Sequence, residues 1–463
     1  MRSDLGGAPP GDEAAGSDRA LRILVCALAA LYVVCFAISP RAAFFEPVEG
    51  ASWTLMSSLE SRWWTAASLQ TASDRIDPQG AFADPFARAR GGRWYSKAPP
   101  LLPLAASFPF AILGAIGAYA VPAGSAVAAA ILASRLARRV SPGKGSGWGA
   151  VAAVAATPLV VHGALFCGHV LAAALALAAI LLVMDAAARG FPLTVDGRGR
   201  ALASLVCAVF ATLAQPEAIW LYPASLAAWA ILREGRPRID VSEGPRWSVA
   251  FLALVSVLAA AAAIFASRFG IGPATPEAGG PRWGSPILIP VIAPAVLAAH
   301  GLARLAMRAS PARASRLRAV WACLVAAGII LQAAGLAEAE STRLSHARAA
   351  EAVARAADAG DAVLSDVASV PGILAGLALE RPLLYLRPDG PVEAFLSAAS
   401  AGGLRAFAAV SAVESGDEGL ASRRALGAFL REGEPVREGG FLIARFVGEG
   451  SSASHPSRPP RGD

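Results

Sequence analysis

Charged side chains are scarce in this chain of 463 residues: Asp, Glu, Lys and Arg together make up 16% of it, whereas soluble globular proteins carry about 25%. The apolar residues, 55% of the chain, are grouped in long blocks and not in narrow stripes. The deficit of charge excludes a disordered or nucleic-acid-binding tail protein and argues against an ordinary soluble enzyme. We therefore expect lipid to surround most of the chain.

Paired cysteines are also lacking. The five cysteines (Cys26, Cys35, Cys167, Cys207 and Cys323) form no Cys-x-x-Cys spacing, and they lie in or beside apolar stretches. With neither a Cys-x-x-Cys pair nor a disulfide framework, we interpret the cysteines as small core residues and not as redox or metal groups. We predict no cofactor and no dedicated metal, and leave open a divalent ion held loosely by Glu46 and Glu49.

The apolar blocks predict a polytopic α-helical membrane protein with about nine to ten spans, because a spanning helix needs about 20 apolar residues. Pro122 and Gly124 interrupt the second and third blocks, which form either one bent span or two short ones. The candidate spans lie at about 21–39, 101–121, 122–137, 147–163, 169–187, 201–215, 217–232, 248–267, 286–306 and 319–337.

Positive charge predicts the orientation of these spans, because Lys and Arg accumulate in cytoplasmic loops. Arginines cluster near 135–144, 189–200, 233–246 and 304–318, while the intervening loops are nearly free of them. We predict a multi-pass protein of the bacterial inner membrane with a disordered cytoplasmic N-terminus (1–20). The membrane domain (21–337) would carry an outside loop at 40–100.

The region after residue 337 changes character. Short apolar runs alternate with helical patterns, which predicts a small extracytoplasmic α/β domain over 338–448 with a largely parallel sheet. The Ser-, Pro- and Arg-rich residues 449–463 predict a disordered tail. The predicted helices are 345–359, 370–379, 392–401 and 419–431, and the predicted strands are 362–367, 382–386, 405–411 and 441–447.

The loop at 40–100 carries the candidate chemistry. Glu46 and Glu49 flank Pro47, and a helix that begins at Pro47 places both carboxylates on one side, at the lipid–water boundary. Reduced solvation there can prepare an acid as a general base. The alternative is structural: Glu46 caps the helix, and Glu49 favours the positive end of its dipole.

Lys97 precedes Pro99 and Pro100 at the start of the second span. An ammonium group there can donate to a phosphate at headgroup level. Alternatively, Lys97 extends to the interface, and Trp94 and Tyr95 belong to an aromatic belt.

Two strings of residues together resemble the GT-C glycosyltransferases, in particular relatives of the protein O-mannosyltransferases and the lipid A aminoarabinose transferases. The first is Glu49-Gly50-Ala51-Ser52-Trp53 after span one, and the second is Tyr95-Ser96-Lys97-Ala98-Pro99-Pro100-Leu101 before span two. The chain departs from the family pattern in the residue between the lysine and the first proline, and in a Glu-x-x-Glu spacing where relatives have adjacent acids.

The resemblance implies a membrane glycosyltransferase that moves a hexosyl or pentosyl group from a polyprenyl-phosphate donor to a hydroxyl acceptor, with inversion. The acceptor would be a lipid, a protein or a glycan. Glu49 or Glu46 would be the base, and Lys97, with Arg93 and Tyr95, would bind the donor phosphate.

Ionisable groups near the membrane predict further substrate contacts, or else helix caps, at His169, His162 and Glu217. A transporter, a lipid-handling scaffold and an inactive GT-C homologue are the alternative functions. No internal repeat of the kind found in many transporters is visible.

Overall fold

The structure is a computed structural model. It describes residues 12–38, 44, 47–65, 68–69, 72–75, 87–90, 93–140, 151, 154, 157–189, 193–216, 218, 310–358, 361–378, 380–386, 392, 395–397 and 404–448. The chain divides into two compact units. The first comprises Met1–Ile38, Ile116–Ala274 and Pro281–Ala337, and the second Ser39–Ala115, Thr275–Gly280 and Glu338–Asp463.

Nine α-helices lie in the described residues. They are α1 (Asp12–Ile38), α2 (Pro47–Ser61), α3 (Leu101–Leu113), α4 (Ala115–Val140), α5 (Leu159–Ala164), α6 (His169–Ala188), α7 (Val195–Ala214), α8 (Pro311–Ala356) and α9 (Val370–Ile373). Because α1 begins at Asp12, part of the segment predicted to be disordered is helical.

Four of these helices, α4, α6, α7 and α8, are long and apolar enough to cross a membrane. The apolar stretches Leu21–Ala37 and Leu101–Leu113 are shorter. The chain is therefore an integral membrane protein. The spans predicted at 217–232, 248–267 and 286–306 lie outside the described residues.

Small residues form the core of the first unit. Ala126, Ala130, Ala133 and Ala173 are fully buried beside Leu177. Alanine and glycine let the backbones of membrane helices approach closely, which replaces the hydrophobic effect as the source of packing energy in lipid. The alanine-rich composition thus has a packing role.

The sequence predicted an interruption at Pro122 and Gly124, but the helical break between residues 101 and 140 falls at Gly114. Gly114 has φ +61°, which favours glycine, whereas Pro122 lies inside α4. Neighbouring groups compensate a proline in a membrane helix, so its presence does not end the helix.

The second unit contains a two-stranded antiparallel hairpin, β1 (Ala87–Arg90) and β2 (Arg93–Ser96), and a six-stranded sheet. The strands of the sheet are β3 (Ala362–Ser365), β4 (Leu383–Tyr385), β5 (Ala406–Ala412), β6 (Ala425–Leu426), β7 (Phe429–Glu438) and β8 (Phe441–Gly448), in the spatial order β4-β3-β5-β8-β7-β6.

Alternating side chains fill both faces of this sheet. Leu364, Phe407 and Phe446 belong to one apolar cluster. Val363 and Ile443 belong to the other, which includes residues of α8 and α9. The alternation with a period of two residues is what a sheet covered on both sides requires.

Three details of this region differ from the sequence prediction. The sheet is mixed, because β3 pairs in parallel with β4 and β5 while the other pairs are antiparallel. Residues 419–431, predicted as a helix, contain β6 and the start of β7. The predicted span 319–337 and the predicted helix 345–359 belong to one continuous helix, α8.

Candidate active site

Glu49 occupies the third position of α2, and the helix begins at Pro47 as the sequence predicted. Its side chain is 1% exposed, and its Oε1 accepts a hydrogen bond of 2.7 Å from Nη2 of Arg343 on α8, which is also 1% exposed. The Nη1 of Arg343 lies 3.2 Å from Oε1 of Glu340. Two carboxylates thus flank one buried guanidinium, and burial of the pair strengthens its electrostatic attraction.

A close approach of two backbones explains the glycine that follows Glu49. A Cβ placed on Gly50 would lie 1.7 Å from the carbonyl oxygen of Gly372 in α9. A Cβ on Gly372 would in turn lie 2.6 Å from the backbone of Pro47. The Glu49-Gly50 string therefore fixes α2 against α9 and, through Arg343, against α8.

The two strings that carry the family resemblance are adjacent in the structure. Oγ of Ser96 donates a hydrogen bond of 3.4 Å to the carbonyl oxygen of Ala51, and it accepts one of 3.0 Å from the N–H of Ala98. Ala51 and Ala98 are buried against each other, with Val48 packed beside them. The chain segments on either side of Lys97 are thus held beside the segment that follows Glu49.

The side chains of β2 alternate in environment. Trp94 is 2% exposed, in an apolar cluster with Leu55, Leu59 and Leu69, so it is not part of an aromatic belt. Tyr95 is half-buried, and Arg93 and Lys97 are exposed. Arg93 and Lys97 thus place two cationic side chains at the surface of this segment.

Glu49 and Lys97 differ in accessibility. The carboxylate of Glu49 is enclosed with Arg343, and Lys97 is exposed. A cavity of about 30 Å³ lies beside the joined segments, with Ala51, Trp94 and Ser96 in its wall. It holds one or two water molecules at most and does not hold a sugar.

His162 and His169 lie together in the first unit, at α5 and at the first residue of α6. Their rings are 5.1 Å apart and nearly perpendicular, and His162 is 1% exposed with its Nδ1 at 3.5 Å from Sγ of Cys167. Nδ1 of His169 is buried with no hydrogen-bond partner among the described residues. Nowhere among the described residues do three potential metal ligands lie close enough together to hold a metal ion.

Glu46 and Glu217 lie outside the described residues. No sequence motif pointed to Arg343 or to His346, whose Nδ1 donates a hydrogen bond of 2.7 Å to the carbonyl oxygen of Phe44. Both residues lie on the polar continuation of α8. The sequence signal for these two residues was an arginine and a histidine one helical turn apart, directly after an apolar span.

Comparison with solved structures identifies the fold. ArnT from Cupriavidus metallidurans bound to undecaprenyl phosphate matches with a TM-score of 0.52 and 14% identity over 94% of this chain and 99% of that one. Its apo form gives a TM-score of 0.51 and 12% identity over 91% and 97%.

The archaeal oligosaccharyltransferase AglB from Archaeoglobus fulgidus, in complex with an inhibitory peptide and a dolichol-phosphate, matches with a TM-score of 0.51 and 11% identity over 87% and 70%. No protein-family model and no curated protein matches the sequence. The chain shares the fold of these solved structures, which confirms the resemblance seen in the sequence at the level of fold.

Proposed function

We propose that the protein is a glycosyltransferase that moves a sugar from a polyprenyl-phosphate-linked donor to a hydroxyl acceptor on the extracytoplasmic face of the membrane. The observation that carries the proposal is the junction of the two resembling strings through Ser96 and Ala51. It brings a segment with a carboxylate and a segment with exposed cations to one place in the fold. The undecaprenyl phosphate and dolichol-phosphate bound to the structural neighbours support the class of donor.

In the proposed reaction a carboxylate takes the proton of the acceptor hydroxyl, and the oxygen attacks the anomeric carbon from the side opposite the phosphate. The new C–O bond forms as the bond to the phosphate oxygen breaks, and the electron pair leaves with the phosphate. Attack from the opposite side inverts the anomeric carbon. Lys97, with Arg93 and Tyr95, stabilises the charge that develops on the departing phosphate.

Glu49 and Glu46 both remain candidates for the base. If Glu49 is the base, it must exchange the guanidinium of Arg343 for the acceptor hydroxyl. If Glu46 is the base, the ion pair of Glu49 stabilises the start of α2, which directly follows Glu46 in the sequence. His162, His169 and Glu217 stay proposed substrate contacts.

A second candidate is a GT-C homologue without catalytic activity, which acts as a scaffold. The specific observation that favours it is the enclosure of Glu49 with Arg343, since a carboxylate committed to a buried ion pair is unavailable to a substrate. The two functions differ in one measurable respect: only the enzyme consumes a donor lipid.

The experiment compares a deletion strain with strains that carry the wild-type chain or a variant. We expect a polyprenyl-phosphate sugar to accumulate in the deletion strain, measured by mass spectrometry of extracted lipids, and the wild type to remove it. The Lys97→Ala variant, present in the membrane at the same level as the wild type, should fail to remove the accumulated donor lipid. The reason is that loss of one electrostatic group lowers the rate of transfer about 10²–10³-fold. Glu49→Gln and Glu46→Gln, tested separately, identify the base.

Matched controls are Arg348→Ala and Glu351→Gln, two exposed residues of α8. Both controls should restore donor consumption. Full restoration by Lys97→Ala would contradict its role at the phosphate. The absence of any accumulated donor lipid in the deletion strain would favour the scaffold.

A further inference from the structure

A cationic cavity of about 670 Å³ lies in the first unit. Its wall contains Arg135, Arg138 and Arg139 from the last turns of α4, Arg200 from α7 and Asp185 from α6. Asp185 is the one acidic residue among the described residues that line it. Four guanidinium groups against one carboxylate leave the wall strongly positive.

The carboxylate is already engaged. Asp185 pairs with Arg139, and its Oδ2 lies 4.0 Å from Nη1 of Arg200. It therefore offsets part of the charge of those two arginines and holds α6 against α4 and α7. The guanidinium groups of Arg135 and Arg138, on the same wall, lie on the exposed side of α4.

The rest of the wall is apolar. Leu132, Leu181 and Leu182 continue it along α4 and α6, both of which are long and apolar enough to span a membrane. The cavity thus combines an arginine-rich mouth at the helix ends with a leucine-lined side along the helices. A soluble anion would contact only the arginine-rich mouth, whereas a lipid with an anionic headgroup would contact both the arginines and the leucine-lined side.

We infer that this cavity binds the phosphate group of an anionic phospholipid, whose acyl chains lie along the three leucines. The planar guanidinium matches phosphate oxygens with paired hydrogen bonds. Basic pockets between membrane helices at a membrane surface are suited to anionic headgroups. The inference is independent of the proposed glycosyl transfer.

The test uses the purified full-length protein in a neutral detergent, with phosphatidylglycerol, phosphatidylcholine and inorganic phosphate as separate probes. Binding is measured by native mass spectrometry and by the rise in melting temperature with lipid concentration. We expect phosphatidylglycerol to stabilise the protein and phosphatidylcholine not to. The double variant Arg135→Gln/Arg138→Gln should weaken phosphatidylglycerol binding roughly 30-fold, because each lost cation should cost about fivefold.

The matched control is Arg313→Gln/Arg316→Gln, which removes two exposed arginines at the start of another apolar helix, α8. It should bind phosphatidylglycerol like the wild type. A further variant, Asp185→Asn, changes affinity in the opposite direction: it removes the carboxylate that opposes the anion, and should tighten binding roughly fivefold. This variant keeps the test decisive if the double variant does not fold.

Three outcomes would overturn the inference. The first is equal binding of phosphatidylcholine and phosphatidylglycerol. The second is equal weakening by the control pair, which would indicate general surface charge. The third is full stabilisation by inorganic phosphate alone, which would assign the cavity to a soluble anion.

Discussion

Removal of Arg343 should destabilise the second unit severely. Arg343→Met keeps much of the volume and the apolar stem of the side chain, but it leaves the carboxylate of Glu49, 1% exposed, without the guanidinium that lies 2.7 Å from it. Breaking a buried ion pair by loss of one partner costs about 3–5 kcal/mol, because the remaining charge is desolvated and uncompensated. We expect a loss of stability in this range.

Glu49→Gln should cost less. The amide oxygen still accepts a hydrogen bond, and Arg343 keeps Glu340 at 3.2 Å. A hydrogen bond that involves a charged group contributes about 1.5–3 kcal/mol, which sets an upper limit for this variant. The double variant Glu49→Gln/Arg343→Met should cost less than the sum of the two single variants, since it does not leave the buried carboxylate of Glu49 without a guanidinium.

The assay is unfolding of the purified protein in detergent micelles with increasing denaturant, followed by the fluorescence of the tryptophans and by the fraction that stays in solution. Arg348→Met is the matched control, because Arg348 is exposed on the same helix. If Arg343→Met is no more destabilising than Arg348→Met, or if the effects of the two single variants simply add, the buried ion pair does not stabilise this unit.

Two further predictions concern the same unit. Gly50→Ala should lower the melting temperature, because the new Cβ would lie 1.7 Å from the carbonyl oxygen of Gly372. The control Gly124→Ala should not lower it, because nothing lies within 4 Å of a Cβ at that position. Equal melting temperatures of the two variants would exclude a close contact at Gly50. Burial raises the pKa of Asp361, so the folded state favours the protonated acid and loses stability as the pH rises through that pKa. Asp361→Asn should therefore raise the melting temperature at pH 7 more than at acidic pH, and a gain that does not depend on pH would contradict this reasoning.

The sequence allowed prediction of the features that arise from local chemistry. Blocks of apolar residues identified membrane helices, Pro47 marked the start of α2, and most strands of the α/β region followed from short apolar runs. The two strings around Glu49 and Lys97 predicted the GT-C fold, which the structural neighbours confirm. These signals depend on residues close together in the chain.

The features that were mispredicted or missed depend on contacts between distant residues. Residues 419–431 contain good helix formers, but pairing with β8 draws part of this segment into β7. The ion pair of Arg343 joins residues almost 300 positions apart, and nothing near Arg343 in the sequence announces its partner. The break at Gly114 depends on a backbone with φ +61°, which glycine adopts readily, and the residues around Gly114 do not show which glycine of this region takes that conformation.

The place of β8 in the sheet sets the timing of folding during synthesis. This strand is the last of the described strands along the chain, yet it lies between β5 and β7 in the interior of the sheet. Until β8 is inserted, the strands form two separate groups, β4-β3-β5 and β6-β7, with an empty position between them. Long-range pairing of this kind is slow to form and leaves edges exposed. We therefore expect the sheet to close only after the last of the described strands has been inserted.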